Sequence, residues 1–248
     1  PFHWIGIGFG AALLPYYLWI EAVERMLDAR AVVGLVAAPL LALILVLMGR
    51  AVRRPEGLAP QLTNMAVTVF GVLYVALPMA LLVRTRFLTG QGWDLVLLVI
   101  AVAKASDVGA YFVGSAIGRH KLAPRISPKK TVEGSVAGLV ASTALGAALV
   151  YVIPSVSLEY ELTARALAGA HGMLLQGVMG GATGLVLSIL GQLGDFMESL
   201  WKRDAGVKDS GGYIPGMGGV LDVLDSFLLA APAMWGIVSL LEEMRLWR

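Results

Sequence analysis

The sequence predicts an all-α fold: a polytopic helical membrane protein with about seven transmembrane helices in this chain. Three observations predict it. Hydrophobic residues make up 58% of the 248 positions and charged residues only 15%, against about half and a quarter in an ordinary soluble domain. Several windows reach the ~20 apolar residues that a helix needs to cross a bilayer. The apolar runs are continuous instead of alternating, which argues against a β-barrel and leaves helices as the way to satisfy the backbone in lipid.

Hydropathy places the spans at about 4–23, 31–48, 62–83, 93–118, 132–153, 173–193 and 222–241. The first carries aromatics near its ends (Trp4; Tyr16, Tyr17, Trp19), as interfacial belts do. Spans one to three bear no chemistry and read as scaffold, with Pro39, Pro78 and many small residues suited to close packing in lipid. The chain therefore divides into an N-terminal scaffold, 1–92, and a candidate catalytic region, 93–248, within one integrated membrane domain. No basic leader precedes the first span, so no signal peptide is expected. Whether helices precede Pro1 is left open.

The net charge of +2 points to no particular partner. The absence of cysteine excludes disulfides, thiolate catalysis and Cys-ligated metal sites. The three histidines, His3, His120 and His171, are too scattered to form a metal cluster. Positive residues set the orientation. The links after spans two, four and six hold eleven of them (Arg50, Arg53, Arg54; Arg119, Lys121, Arg125, Lys129, Lys130; Lys202, Arg203, Lys208). The opposite side holds seven. The positive-inside tendency puts the richer links in the cytoplasm.

Span four is the first with polar content. Lys104, Asp107 and Tyr111 share a helical face, followed by Ser115. That face either neutralises itself as an internal Lys–Asp pair or lines a polar chamber. The next link combines cations with a helix-start signal. Ser127-Pro128 is expected to begin a turn, and Thr131 with Glu133-Gly134 sits at the start of span five. Lys129 and Lys130 beside a helix N-terminus suit a phosphate, or equally a lipid headgroup. Span six carries Gly177 with Gly181 and Gly180 with Gly184, which imply a close helix neighbour in this chain or another.

The stretch 188–226 is out of character for so apolar a chain, and ionisable groups beside a membrane interior are kept mainly for function. Ser188, Gln192, Asp195 and Ser199 follow i, i+4, i+7 and i+11, turning one face of span six polar, with Glu198 and Lys202 flanking it. A glycine-rich loop follows, and Asp222, Asp225 and Ser226 open span seven. Hard oxygen donors without His or Cys select Mg²⁺, with a second cation possible. Asp195 and Asp222 are the expected metal-binding pair, with Asp225 and Asp209 supporting it; Asp222 has a competing role as a helix cap. Lys202, Arg203 and Lys208 would neutralise a polyphosphate, and backbone N–H groups of the loop glycines would approach it. Neither a P-loop nor a Rossmann glycine pattern is present. The residues alone thus imply Mg²⁺-dependent transfer involving phosphates at the cytoplasmic membrane face.

At these residues the sequence strongly resembles the phosphatidate cytidylyltransferase (CDP-diacylglycerol synthase) family. That family's pattern runs S-x-x-[apolar]-K-R-x4-K-D-x-[small]-x2-[apolar]-P-x-H-G-G-[apolar]-x-D-R-[apolar]-D. Ser199, Lys202, Arg203, Lys208, Asp209, Gly211, Ile214, Pro215, Gly218, Gly219, Val220, Asp222, Leu224 and Asp225 match it in register. The segments GDFMES, SDVGAYFVG and SPKKTVEG also look like the family, so the likeness covers about 101–226. Met217 stands where the family has His, and Val223 where it has Arg, so no role of that His or Arg carries over. The resemblance implies that CTP and phosphatidic acid give CDP-diacylglycerol and pyrophosphate. Lys202, Arg203, Lys208, Asp209 and Asp225 would be catalytic and Asp195 and Asp222 would hold the metal. Asp107, Lys129, Lys130, Ser199, Gly218 and Gly219 would contact substrate. It further implies a homodimer in the bacterial inner membrane.

Three rival readings remain. A related enzyme would use CTP with another lipid phosphate or a polyprenol, through a similar local motif. A CDP-alcohol phosphotransferase would require a D-G-x2-A-R element that the chain lacks. A transporter would also show intramembrane Lys104 and Asp107, but would not need Lys-Arg and Lys-Asp clustered beside acidic helix ends.

Overall fold

The computed structural model describes residues 58–88, 93–153, 171–212 and 218–246, together with 41–50 and the isolated positions 7, 8, 10–12, 15, 16, 39, 156 and 160. The first expected span and Met217 lie essentially outside the described residues. Among the described residues, five helices are long and apolar enough to cross a membrane: Gln61–Arg86, Trp93–Ile117, Val132–Val152, Gly172–Asp204 and Val220–Leu241. They coincide with spans three to seven of the sequence, and the short apolar helix α1 (Leu41–Arg50) falls at the end of span two.

The chain forms two compact units, Pro1–Arg84 and Thr85–Arg248. In the first, α2 (Leu58–Gly71) passes through a single π-helical stretch, Val72–Ala76, into α3 (Leu77–Leu88). Pro78 lies two residues past that widened turn. Its missing N–H leaves the carbonyl four residues back without the usual donor, a common cause of local rewinding. Leu43 and Leu47 of α1 bury themselves against Val72, with Met65, Val69 and Ala76 around them.

The second unit carries the chemistry. It runs α4 (Trp93–Ile117), a hairpin of β1 (Lys121–Ala123) and β2 (Ser127–Thr131), α5 (Val132–Val152), α6 (Gly172–Asp204) and α7 (Val220–Leu246). Helix α5 packs between α4 and α6, and α7 packs mainly on α6. Apolar side chains such as Leu174, Val178 and Val140 remain exposed, because these helices face lipid instead of water.

With no hydrophobic drive between helices in lipid, close backbone approach holds the bundle, and glycine makes it possible. A Cβ on Gly138 would lie 2.7 Å from Ser106 O of α4, and one on Gly146 would lie 2.5 Å from Gly180 O of α6. The Gly180 and Gly184 pair thus finds its neighbour in α5 of the same chain. Gly194 meets Asp225 O of α7 in the same way, at 2.5 Å.

One expectation is corrected. Ser127 and Pro128 lie within β2, not in a turn; the turn is at 124–126, closed by Ile126 N donating to Ala123 O at 3.1 Å. The cationic link is therefore a short antiparallel ribbon, the one departure from an all-α fold among the described residues. Helix α6 runs on past the apolar part of span six to Asp204, as the helical spacing of Asp195 and Ser199 predicts. Its 33 residues extend about 50 Å at ~1.5 Å each, well beyond a hydrocarbon core of ~30 Å. The polar C-terminal turns belong to that excess.

Candidate active site

The polar row on α6 begins in a dry interface and ends in a cavity. Ser188 Oγ hydrogen-bonds Ser106 Oγ of α4 at 2.8 Å, both residues being buried. One turn on, Gln192 Nε2 donates to Ser106 Oγ (3.2 Å) and to the Ser135 carbonyl of α5 (3.1 Å), fastening three helices together. Next comes Asp195, ion-paired with Lys130 Nζ of β2 and accepting from Ser199 Oγ at 3.3 Å. Lys130 also lies over the Phe196 ring, 4.3 Å from its centroid.

Above this row opens a cavity of about 550 Å³, with Asp107, Tyr111, Lys129, Lys130, Gln192 and Asp195 in its lining. The α4 face lines the cavity, and its Lys–Asp pair is not internal to the bundle. Lys104 and Asp107 do pair, at 2.8 Å and each about half exposed, and Asp107 also lines the cavity. The cationic edge is fixed by the start of α5. Thr131 Oγ1 accepts from Gly134 N at 3.2 Å as its cap. Glu133 reaches back to Arg119 N and His120 N, at 3.1 and 3.2 Å, and to His120 Nδ1 at 2.6 Å. These contacts hold the hairpin that presents Lys129 and Lys130.

The second half of the site forms where α6 ends and α7 begins. Lys202 Nζ sits between Glu198 Oε2 (2.7 Å) and Asp222 Oδ1 (2.6 Å). The other Asp222 oxygen accepts from Gly219 N (2.7 Å), Ser210 N (2.8 Å) and Ser210 Oγ (2.7 Å). The capping role of Asp222 is thus real but displaced. It is the third residue of α7 and reaches back to the N–H before the helix, as the acid of a capping box does. Gly218, at φ +88°, makes the turn that a side chain would strain.

Asp225, 8% exposed, accepts from Ser226 N and Ser226 Oγ through Oδ1, at 2.5 and 2.9 Å. It lies within electrostatic reach of Asp195 and Asp107, while Glu198 lies within reach of Asp222 and Asp225. The carboxylates therefore run as a row from the cavity to the loop. Among the described residues, no three acidic or histidine side chains converge tightly enough to hold a metal by themselves. Asp195 and Asp222 belong to different ion pairs in this arrangement.

Three expected residues stand apart from the row. Arg203 turns towards the hairpin, donating through Nε to Ile126 O (3.3 Å) and through Nη1 to Val207 O (3.2 Å). Lys208 and Asp209 are exposed in the loop. Conversely, Glu198, 1% exposed, is central yet was recognised only as flanking. Its signal was the i, i+4 spacing to Lys202. Ser106 and Ser210 carry no signal in the sequence, since their partners Ser188, Gln192 and Asp222 are distant in it.

Fold and site together define a polytopic helical membrane protein in which lysines and carboxylates from two helices and a hairpin line a cavity, with Asp225 of α7 within electrostatic reach. The chain belongs to the cytidylyltransferase family, whose sequence profile matches residues 3–241. It is similar to the phosphatidate cytidylyltransferases of Staphylococcus aureus (strain COL), 36% identical over 169 residues, and Bacillus subtilis (strain 168), 35% identical over 168. That of Staphylococcus saprophyticus is 37% identical over 169 residues. Each match takes in 68% of the chain but only 56–57% of the relative, so the chain spans little more than half the length of these proteins.

Proposed function

We propose that this chain transfers the cytidylyl group of CTP to phosphatidate, giving CDP-diacylglycerol and pyrophosphate. The observation that carries the reading is the cavity in which Lys129, Lys130 and Asp195 converge, in a chain of the cytidylyltransferase family that also pairs Lys202 with Asp222 further along α6. A lipid phosphate oxygen attacks the α-phosphorus of CTP. The new P–O bond forms as the bond to the β-phosphate bridging oxygen breaks, and pyrophosphate departs with that electron pair. The nucleophile is already anionic, so no base is needed, and catalysis rests on positioning and charge neutralisation. Lys129, Lys130 and Lys202, with Lys208 from the loop, offset the phosphate charge. Gln192 and the serines beneath them keep the cavity floor rigid.

The donor chemistry fits Mg²⁺, since every candidate ligand is a carboxylate or hydroxyl oxygen. Asp195 and Asp222 would hold it together with phosphate oxygens of the substrate, with Asp225 in support, and a bound cation would supply further neutralisation of the triphosphate. The bias of positive links supports a cytoplasmic active face in a bacterial inner membrane, and the resemblance supports a homodimer. The test is purified protein in detergent with CTP, Mg²⁺ and phosphatidate, assayed for pyrophosphate and CDP-lipid. Turnover is expected. Product formed only with a polyprenyl phosphate would move the acceptor, and none with any lipid phosphate would overturn the reading.

A further inference from the structure

Two lysines of the site are held by the carboxylates that the proposed function assigns to a metal. Lys130 of β2 pairs with Asp195, 65 positions away in sequence, and Lys202 of α6 pairs with Asp222 at 2.6 Å. Both pairs are sheltered. Side-chain exposures are 27% and 26% for the first and 16% and 10% for the second. Neither lysine is held solely by its aspartate. Lys130 rests over Phe196, and Lys202 also bridges to Glu198. Lys130 in addition lines the cavity that would take the triphosphate. A partly buried charge pair excludes a competing cation until its ammonium group finds another anion, because an unpaired charge there is costly.

We propose that Lys130 and Lys202 are resident counter-ions that exchange partners on substrate binding. Each occupies its carboxylate until a triphosphate enters. The ammonium groups then turn to phosphate oxygens, which frees Asp195 and Asp222 for the divalent cation accompanying the nucleotide. This rests on the cytidylyltransferase reading and adds an order of events to it. Metal alone binds weakly, nucleotide and metal bind as a unit, and each strengthens the other by the same factor.

The test measures Mn²⁺ binding to the purified chain in detergent, from the free-ion paramagnetic resonance signal, with and without CTP. In the unaltered chain CTP is expected to tighten Mn²⁺ binding at least about tenfold, a coupling of roughly 1.4 kcal/mol. Lys130→Met should bind Mn²⁺ alone about tenfold more tightly, with most of the enhancement by CTP lost. Lys130→Arg, which keeps the charge, should behave as the unaltered chain. Because Lys202→Met would strand the buried Glu198, the second pair is tested as the double variant Glu198→Gln, Lys202→Met, with the same expectation. If the unaltered chain couples Mn²⁺ to CTP but both neutral variants bind Mn²⁺ alone no more tightly, the exchange is wrong while the functional reading stands. If CTP leaves Mn²⁺ binding unchanged in every protein and no CDP-lipid forms, the functional reading fails and the exchange with it.

Discussion

Replacing Gly194 by alanine should damage the site without touching a charged group. Gly194 precedes Asp195 on α6, and a Cβ there would lie 2.5 Å from the carbonyl oxygen of Asp225 on α7. Ordinary contact begins near 3.4 Å, so the two helices must separate by about 0.9 Å where Asp195 faces Asp225. The obstacle is backbone and has no rotamer to escape into. Overpacking of this kind costs ~1–3 kcal/mol, and a displacement near 1 Å in a site that works by positioning costs on the order of 100-fold in rate. Two other glycines calibrate the argument. Gly191→Ala would meet Ser226 O at 3.2 Å and should lose only a few-fold, whereas Gly236 has nothing within 4 Å and should tolerate alanine. The assay is CDP-lipid formation beside thermal unfolding in one detergent. If Gly194→Ala keeps activity within twofold of Gly236→Ala and melts at the same temperature, the α6–α7 seam does not set the geometry of the acidic row.

Three further outcomes are expected. Asp222→Asn replaces one acceptor oxygen by a donor facing either Lys202 or the Ser210 and Gly219 N–H groups. Turnover should fall at least ~100-fold and the Ser210 and Gly219 amides should exchange faster; unchanged exchange would contradict the anchoring role. Thr131→Ala removes the α5 cap and should cost about 1 kcal/mol, which Thr131→Ser restores; equal melting of both variants would dismiss the cap. Arg203→Gln should loosen the turn at 124–126 through loss of the Ile126 contact, read as faster hydrogen exchange there, with a higher KM. Protection like that of the parent would return Arg203 to a purely electrostatic role.

Much of the second unit was legible because its signals are local. Apolar length marked all four of its spans, and Thr131 was placed at the start of α5 by helix-cap chemistry alone. The i, i+4 and i+7 spacing of Ser188, Gln192 and Asp195 named the polar face before its partners were known. The hairpin was missed since SPKKT has no alternating apolar pattern. It pairs because Glu133, two residues into α5, gathers the N–H groups of Arg119 and His120. Asp195 and Asp222 are the expected metal-binding pair, and the structure adds a lysine partner to each, which sequence spacing does not reveal because it does not rank distant cations. Glu198 was undervalued for a related reason. One step off the polar face, it gained its burial from α7, an element more than twenty positions downstream.

The glycine seams and the charged row are one construction. Gly138 lets α5 approach the Ser106 carbonyl, which brings Gln192 to Ser135 and so levels α6 against both neighbours. Gly194 then lets α7 approach at the next turn, where Asp195 and Asp225 come within reach. Side chains at these positions would hold the helices apart, and short carboxylates could no longer act together. A lysine spans such a gap and an aspartate does not. That asymmetry explains why the cations come from the edges, on a hairpin and at a helix end, while Asp195 and Asp225 sit beside a close backbone contact. Val223, where the resembling family carries Arg, follows directly on Asp222 at the start of α7, and Lys202 already serves that aspartate. On this logic Val223→Arg should change turnover by less than tenfold while Lys202→Gln abolishes it, and a large gain from Val223→Arg would mean that the site is short of positive charge.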